Sequence, residues 1–324
     1  MLKSVFAIEE INKINSQEII IVNNSTKEFL SILPEYGGRL KEVWLNNGCE
    51  NKSIIKRVER VNSTVRDDIF LNAKLSPFAG RIKEGKYSFD DHEYNLDLNY
   101  PEEGNACHGF MFDKRFRVKD KIISEESAFC RLEYLYKGEY RGYPFRYSIE
   151  LTYKITIGGE VICETKVVNQ SERTIPLSDG WHHYFDLNTK VDDLKLKFEV
   201  EEIINLDERK IPTGIVEPFN EFKKATRIGS KHFDSCFKIK NDNGKAVTEI
   251  ISETQNTHLK IWQETGINKY NYLVIYTPSD RRAIAIEPIT SNINAFNSRE
   301  DLILLGEGKE YQSSFGISLN NAKS

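Results

Sequence analysis

Residues 145–157 read FRYSIELTYKITI, and their alternation decides the fold class. Phe145, Tyr147, Ile149, Leu151, Tyr153, Ile155 and Ile157 are apolar or aromatic, and Arg146, Ser148, Glu150, Thr152, Lys154 and Thr156 between them are polar. Successive side chains of a strand leave opposite faces, so this period of two predicts a long strand with one buried and one wet face. Gly158-Gly159 follows as a hairpin signal and leads into VICETKVV at 161–168.

The same alternation returns on both sides, in CRLEYLY (130–136), LKLKFEV (194–200) and YQSSFGISL (311–319). Asn46-Asn47-Gly48, Asp90-Asp91 and Asn243-Gly244 mark turns in the intervals. Helical periodicity is scarce, with Phe6 to Ile14 the best short candidate. These patterns predict an all-β protein, a large antiparallel β-sandwich with few short helices. No fixed-period repeat or Pro/Ser-rich linker interrupts the chain, and its nine prolines are scattered. One domain over residues 1–324 is the expected organisation.

Forty-five lysines and arginines against 49 acids leave a formal charge of −4, dispersed along the chain. Nucleic-acid binding usually needs a basic patch, so that partner is not expected. No apolar run approaches the ~20 residues of a spanning helix, which predicts no membrane partner. The opening MLKSVFAIEEINKIN has acids where a signal peptide would be apolar, so a cytoplasmic location is expected. Cys49, Cys107, Cys130, Cys163 and Cys236 are odd in number and contain no CxxC pair. They read as free thiols in a reducing compartment. Cys107 precedes His108, but sequence neighbours are seldom partners in space, and a thiol nucleophile needs a base within reach.

Four stretches set functional residues inside apolar patterning. In LSPFAGRIKEGKYSF (75–89), Arg81 sits where Pro77, Gly80 and Gly85 bend the chain. It is either a surface arginine paired to an acid or a fork of donors for hydroxyls. In EEGNACHGF (102–110), His108 stands in a glycine-bearing loop that lets backbone approach closely, for a structural or a functional use. GWHHYFDL (180–187) places His182 and His183 on opposite faces of extended backbone, so they cannot clamp one metal. One should face the interior or a cleft and the other away, with Trp181, Tyr184 or Phe185 offering a flat platform; aromatic core packing is the competing reading. In AIAIEP, Glu287 shares a face with Ala285 and Ala283, which leaves space around the carboxylate, and Pro288 is expected to end the strand there. A carboxyl in such a setting has a raised pKa, toward general-base use; the alternative is a buried ion pair, with Arg81 as a possible partner.

In order along the chain, PFAGRI, NACHGF, HHYFDL, FDSC and AIEPITSNINAFN resemble the motifs of the aldose 1-epimerase (galactose mutarotase) family, as does EYGGRLKEVWLNN near the start. The likeness spans roughly residues 35 to 319. It implies a large antiparallel β-sandwich with its site in a groove on one face. It assigns His182 as general acid and Glu287 as catalytic base, and puts Arg81, His108 and Asp234 at substrate-binding positions. The implied activity is interconversion of the α and β anomers of a free hexose by ring opening, with no cofactor and no metal. The expected partner is a small-molecule sugar, with the chain a monomer or homodimer. This sequence departs from the family pattern at Ser76 before Pro-Phe, at Ile293-Asn294 before AFN and at SDGW before the histidines.

Three other readings compete. A hexose-6-phosphate 1-epimerase needs a cationic cluster, for which Arg81, Lys83, Lys86 and Arg115 are candidates. A glycosidase needs two carboxylates, which Asp234 and Glu287 offer. A non-catalytic carbohydrate-binding protein needs no matched acid and base.

Overall fold

In the computed structural model, which describes residues 4–13, 16–59, 66–240 and 244–322, the stretch that opens the sequence reading forms the strand Tyr147–Thr156. Tyr147, Ile149, Leu151, Tyr153 and Ile155 are fully buried, and the residues between them are half-buried. Each such Ile or Leu contributes roughly 1.5–3 kcal/mol by leaving water. The strand pairs with Ser127–Tyr136 on one side and Val161–Asn169 on the other. Its hairpin with the latter closes through Gly159, at φ +75°, where a Cβ would come within 2.4 Å of a Glu28 carboxylate oxygen.

These three strands belong to a nine-stranded sheet, and a seven-stranded sheet packs across it. The seven strands run, edge to edge, Pro212–Pro218, Glu202–Leu206, Asp234–Lys238, Tyr272–Tyr276, Ile284–Ile289, Gly180–Phe185 and Ala73–Leu75. Trp181 meets Tyr153 and Phe315 of the opposite sheet at ring-centroid distances of 5.9 and 5.7 Å. One buried apolar cluster, reaching from Phe6 to Leu319, fills the space between. Among the described residues, strand takes up 52% and helix 3%, in multiple antiparallel sheets, which is the predicted class. Among the described residues, no helix is long and apolar enough to cross a membrane.

Local expectations fare unevenly. Asp90 and Asp91 both take positive φ (52° and 60°) between Lys86–Phe89 and His92–Asn95, a turn whose twist suits a tight hairpin. Asn46-Asn47-Gly48 turns between Arg39–Asn46 and Asn51–Ser53; Asn243 lies outside the described residues. The helix expected over Phe6 to Ile14 is instead the strand Phe6–Lys13, paired along its length with Ser16–Asn23, with Ile14 outside the described residues. A helix that short is marginal alone, whereas the IIIV run beside it offers a full ladder. Of LKLKFEV, only Lys195–Lys197 is strand: Leu194 closes a short helical turn and the Phe198 amide leaves for Phe222.

The strand Gly180–Phe185 serves both faces of its sheet. Trp181, His183 and Phe185 point into the core, and His183 lies 5.0 Å from the Phe315 ring. His183 therefore does face away from the cleft, as expected, but toward the interior and not toward solvent. Neither of its ring nitrogens has a hydrogen-bond partner among the described residues. Burial, with His182 and Lys74 adding to it, pulls its pKa down to about 3.

Below the unfolded histidine value of about 6.5 the unfolded chain takes up a proton that folded His183 refuses. Its stabilisation is present above 6.5 and is lost as pH falls toward 3. Urea midpoints measured from pH 7.5 to 4 should fall, and less steeply for His183→Phe; equal slopes would contradict a buried neutral imidazole.

Candidate active site

Sheet register builds the floor of the site. Across one rung Asp234 opposes Tyr276, Tyr276 opposes Ala285 and Ala285 opposes Tyr184. On the next, Cys236 opposes Val274 and Val274 opposes Glu287. The register that pairs Gly180 with Ile289 and His183 with Ile286 sets His182 opposite Glu287. Directly opposed Cβ atoms lie ~5 Å apart, and His182 Nε2 comes 3.2 Å from Glu287 Oε1. The paired residues skip 181–182 and 287–288, where Pro288 has no N–H to give. Pro288 does not end the strand as expected; the strand runs on to Ile289, so Glu287 lies in the floor at 2% exposure.

Ala285 and Val274 are small enough to leave a cavity of about 290 Å³ over this floor. His182, Glu287, Arg81, His108 and Asp234, all singled out in the sequence, line it together. Of the three proposed platform rings only Tyr184 does so, stacked on His182 with centroids 4.8 Å apart and planes 18° from parallel. Trp181 and Phe185 belong to the core because they sit on the other face of the strand. Glu103, Lys210, Tyr100, Phe70 and Tyr276 also line the cavity and were not singled out.

Burial pulls the His182 imidazole down to about 3, and Arg81 pushes the same way. Burial also pushes the Glu287 carboxyl well above the carboxylate range, with Asp234 adding to it. Both directions favour a pair with no net charge, one proton being shared between Oε1 and Nε2.

His108 is held in left-handed backbone (φ +63°) by two hydrogen bonds with one residue: its N–H donates to Gly80 O at 2.9 Å, and the Gly80 N–H donates to its Nδ1 at 3.2 Å. The next residue, Gly109, leaves no space for a side chain, since a Cβ would meet Ser76 O at 2.2 Å. With Nδ1 accepting, the ring hydrogen sits on Nε2, making that atom a donor. Ligand atoms of His108, His182 and Glu287 lie within 4.8 Å of one another, close enough to hold a metal ion. A metal-bound histidine, however, donates from its second nitrogen, and the amide aimed at His108 Nδ1 forbids that. The donor set suits hydroxyl oxygens better than a metal.

The cavity wall carries two ion pairs. Arg81 gives Nε and Nη2 to the two oxygens of Glu103, at 2.7 and 3.1 Å. Lys210 Nζ lies 2.7 Å from Asp234 Oδ2. The partner suggested for Glu287 in the sequence, Arg81, is thus taken by Glu103.

Behind the floor, Lys74 lies opposite Trp181 and buries its ammonium completely, 2.5 Å from Asp179 Oδ2 and 2.9 Å from Gly180 O. Asp179, from the unusual SDGW segment, also accepts from the hydroxyls of Tyr270 and Tyr311. Its backbone exchanges bonds with Thr290: the Thr290 amide donates to Asp179 O, and the Asp179 amide to Thr290 Oγ1. This buried pair ties the start of the histidine strand to the end of the glutamate strand.

A family model described as aldose 1-epimerase matches residues 19–318. Protein YihR of Escherichia coli is 26% identical over 254 residues, covering 76% of this chain and 78% of that protein. Human galactose mutarotase is 29% identical over 194 residues, 54% of each chain, so the match spans about half the human protein's length. Among solved structures, a galactose mutarotase-like protein from Clostridium acetobutylicum superposes with a TM-score of 0.83 at 22% identity, over 98% of this chain and 99% of that one. Galactose 1-epimerase from Lactobacillus acidophilus gives 0.80 at 17%, over 98% of both.

Lys74→Met should leave Asp179 buried without its cation and lower unfolding free energy by roughly 3–5 kcal/mol. Removing both charges, as Lys74→Met with Asp179→Leu, should recover most of that loss. Urea unfolding at pH 7 reads both, and an unchanged midpoint for the single variant would contradict a charged pair here.

Proposed function

Because the chain belongs to the aldose 1-epimerase family, we propose that it interconverts the α and β anomers of a free hexose, with Glu287 and His182 as base and acid. The observation that carries this reading is the His182–Glu287 contact of 3.2 Å opening onto a cavity lined by polar groups.

The chemistry asks for this pair. Glu287 takes the proton from the C1 hydroxyl while His182 gives one to the ring oxygen, and the C1–O5 bond breaks to leave an aldehyde. Rotation about C1–C2 presents the other carbonyl face, and the proton transfers run in reverse as the ring closes. No proton is gained or lost over the cycle. The transfer starts from the form in which the shared proton lies on His182 Nε2, which leaves Glu287 as the carboxylate base and His182 as the acid. Tyr184 stacked on the imidazole holds its plane. His108 Nε2, Arg81 and Asp234 offer the donors and acceptor that sugar hydroxyls need.

The wall charges favour an uncharged sugar over a hexose phosphate. Arg81 and Lys210 each already contact a carboxylate, and Lys83, Lys86 and Arg115 are not among the lining residues. Among the described residues, a phosphate dianion would find no free cationic cluster there.

His182→Asn and Glu287→Gln should each slow mutarotation by about 10²–10⁴. His183→Phe, altered on the core face, should stay within about threefold. Fresh α-anomers of glucose, galactose and other aldoses followed by NMR or polarimetry read the rates; near wild-type turnover by His182→Asn would remove the acid assignment.

A further inference from the structure

Lys210 stands on the turn between Glu202–Leu206 and Pro212–Pro218, and that turn is clamped. Asp207 Oδ1 accepts from the amides of Arg209 and Ile211, both at 2.9 Å. Arg209 reaches across to the loop that carries Glu103, donating Nε to Glu103 O at 2.8 Å and Nη2 to Gly104 O at 2.9 Å. Asn105 Nδ2 returns a bond to Arg209 O at 2.8 Å. With Arg209 fixed in this way, the next residue, in left-handed backbone (φ +62°), brings its ammonium to Asp234. The turn thus links the cavity's two ion pairs, Arg81–Glu103 and Lys210–Asp234.

A side chain so placed does more than shield a carboxylate. The pair is about one-third exposed (32% and 31%), so as an ion pair alone it adds little to stability. An ammonium bound to one carboxylate oxygen keeps two N–H donors, and the carboxylate keeps free lone pairs. A sugar hydroxyl both donates and accepts, so one hydroxyl can give its hydrogen to Asp234 while receiving one from Lys210. Asp234 lies two strands from Glu287 in the sheet, on the order of 10 Å away. That is the far end of a pyranose whose anomeric carbon sits at the His182–Glu287 pair.

Resting on the anomer-interconversion reading, we propose that Lys210 is a specificity-determining residue. Together with Asp234 it forms a two-point hook for one hydroxyl remote from the anomeric carbon of an uncharged aldose. Loss of the hook weakens binding in ground state and transition state alike, so KM rises and kcat stays.

The test compares wild type, Lys210→Met and Lys210→Arg on the best aldose substrate and on its 2-, 3-, 4- and 6-deoxy analogues. Thermal melts establish that the variants are folded. Lys210→Met should raise KM about ten- to hundredfold, as for a charge-assisted hydrogen bond, with kcat within about threefold, and Lys210→Arg should recover part. For one deoxy analogue the variant and wild type should become equal, because the hydroxyl that the hook reads is gone. An unchanged KM, or the same loss on every analogue, overturns the proposal while leaving the catalytic reading intact. If wild type accelerates no aldose, that reading fails, and the same comparison by calorimetric Kd decides the hook alone. Absence of any sugar binding overturns both.

Discussion

Two strands whose side chains of interest are 105 residues apart in sequence are locked in one antiparallel register, and the site depends on it. Pairing Gly180 with Ile289 and His183 with Ile286 leaves His182 opposite Glu287. A slip of one residue would turn His182 into the core and His183 into the cavity. Burial on the other face forbids that slip, because Trp181 and Phe185 would both have to leave the core between the sheets. Trp181 and Phe185 thus enforce the His182–Glu287 contact without lining the cavity. The Lys74–Asp179 pair supports the same register from behind, since Lys74 lies beside Trp181 and Asp179 holds Thr290.

The same constraint sets the electrostatics. A histidine and a glutamate carried by neighbouring strands in the middle of a sheet cannot both stay hydrated. The imidazole is pulled down and the carboxyl pushed up, and each shift favours a neutral group. A lone buried charge would be costly in this setting, whereas a pair that passes one proton between its members carries no net charge. Burial is therefore compatible with the proposed proton exchange.

Much of this was legible in the sequence, for identifiable reasons. Period-two alternation in FRYSIELTYKITI reports a strand half in and half out, and Tyr147–Thr156 behaves so. Of the five residues in resemblant motifs, His182, Glu287 and Asp234 converge on one cavity through the register of the seven-stranded sheet, and Arg81 and His108 reach it from a two-stranded sheet and a loop. The misses have physical causes as well. Pro288 read as a strand end because it lacks an N–H, yet the ladder toward Tyr272–Tyr276 continues across it. The Phe6 segment read as a helix because its apolar spacing is ambiguous until a partner strand is known. Glu103 stood inside the quoted EEGNACHGF stretch, and nothing in its own neighbourhood revealed that Arg81 would fold against it. Lys210, between Arg209 and Ile211, carries no local signal at all; only the clamp to the Glu103 loop brings it to the cavity.

This division between floor and wall has a consequence for how such a site can diverge. The His182–Glu287 pair lies on central strands flanked by neighbours on both sides, so altering it means altering the middle of the sheet. Arg81, Glu103, His108 and Lys210 come from strand ends, loops and a turn, joined by a few polar contacts that can be exchanged locally. A chain can keep a superposition of 0.83 at 22% identity because sheet register tolerates many sequences of the right alternation. On the reading proposed above, the choice of sugar falls to the wall, where Lys210 on its clamped turn stands beside Asp234.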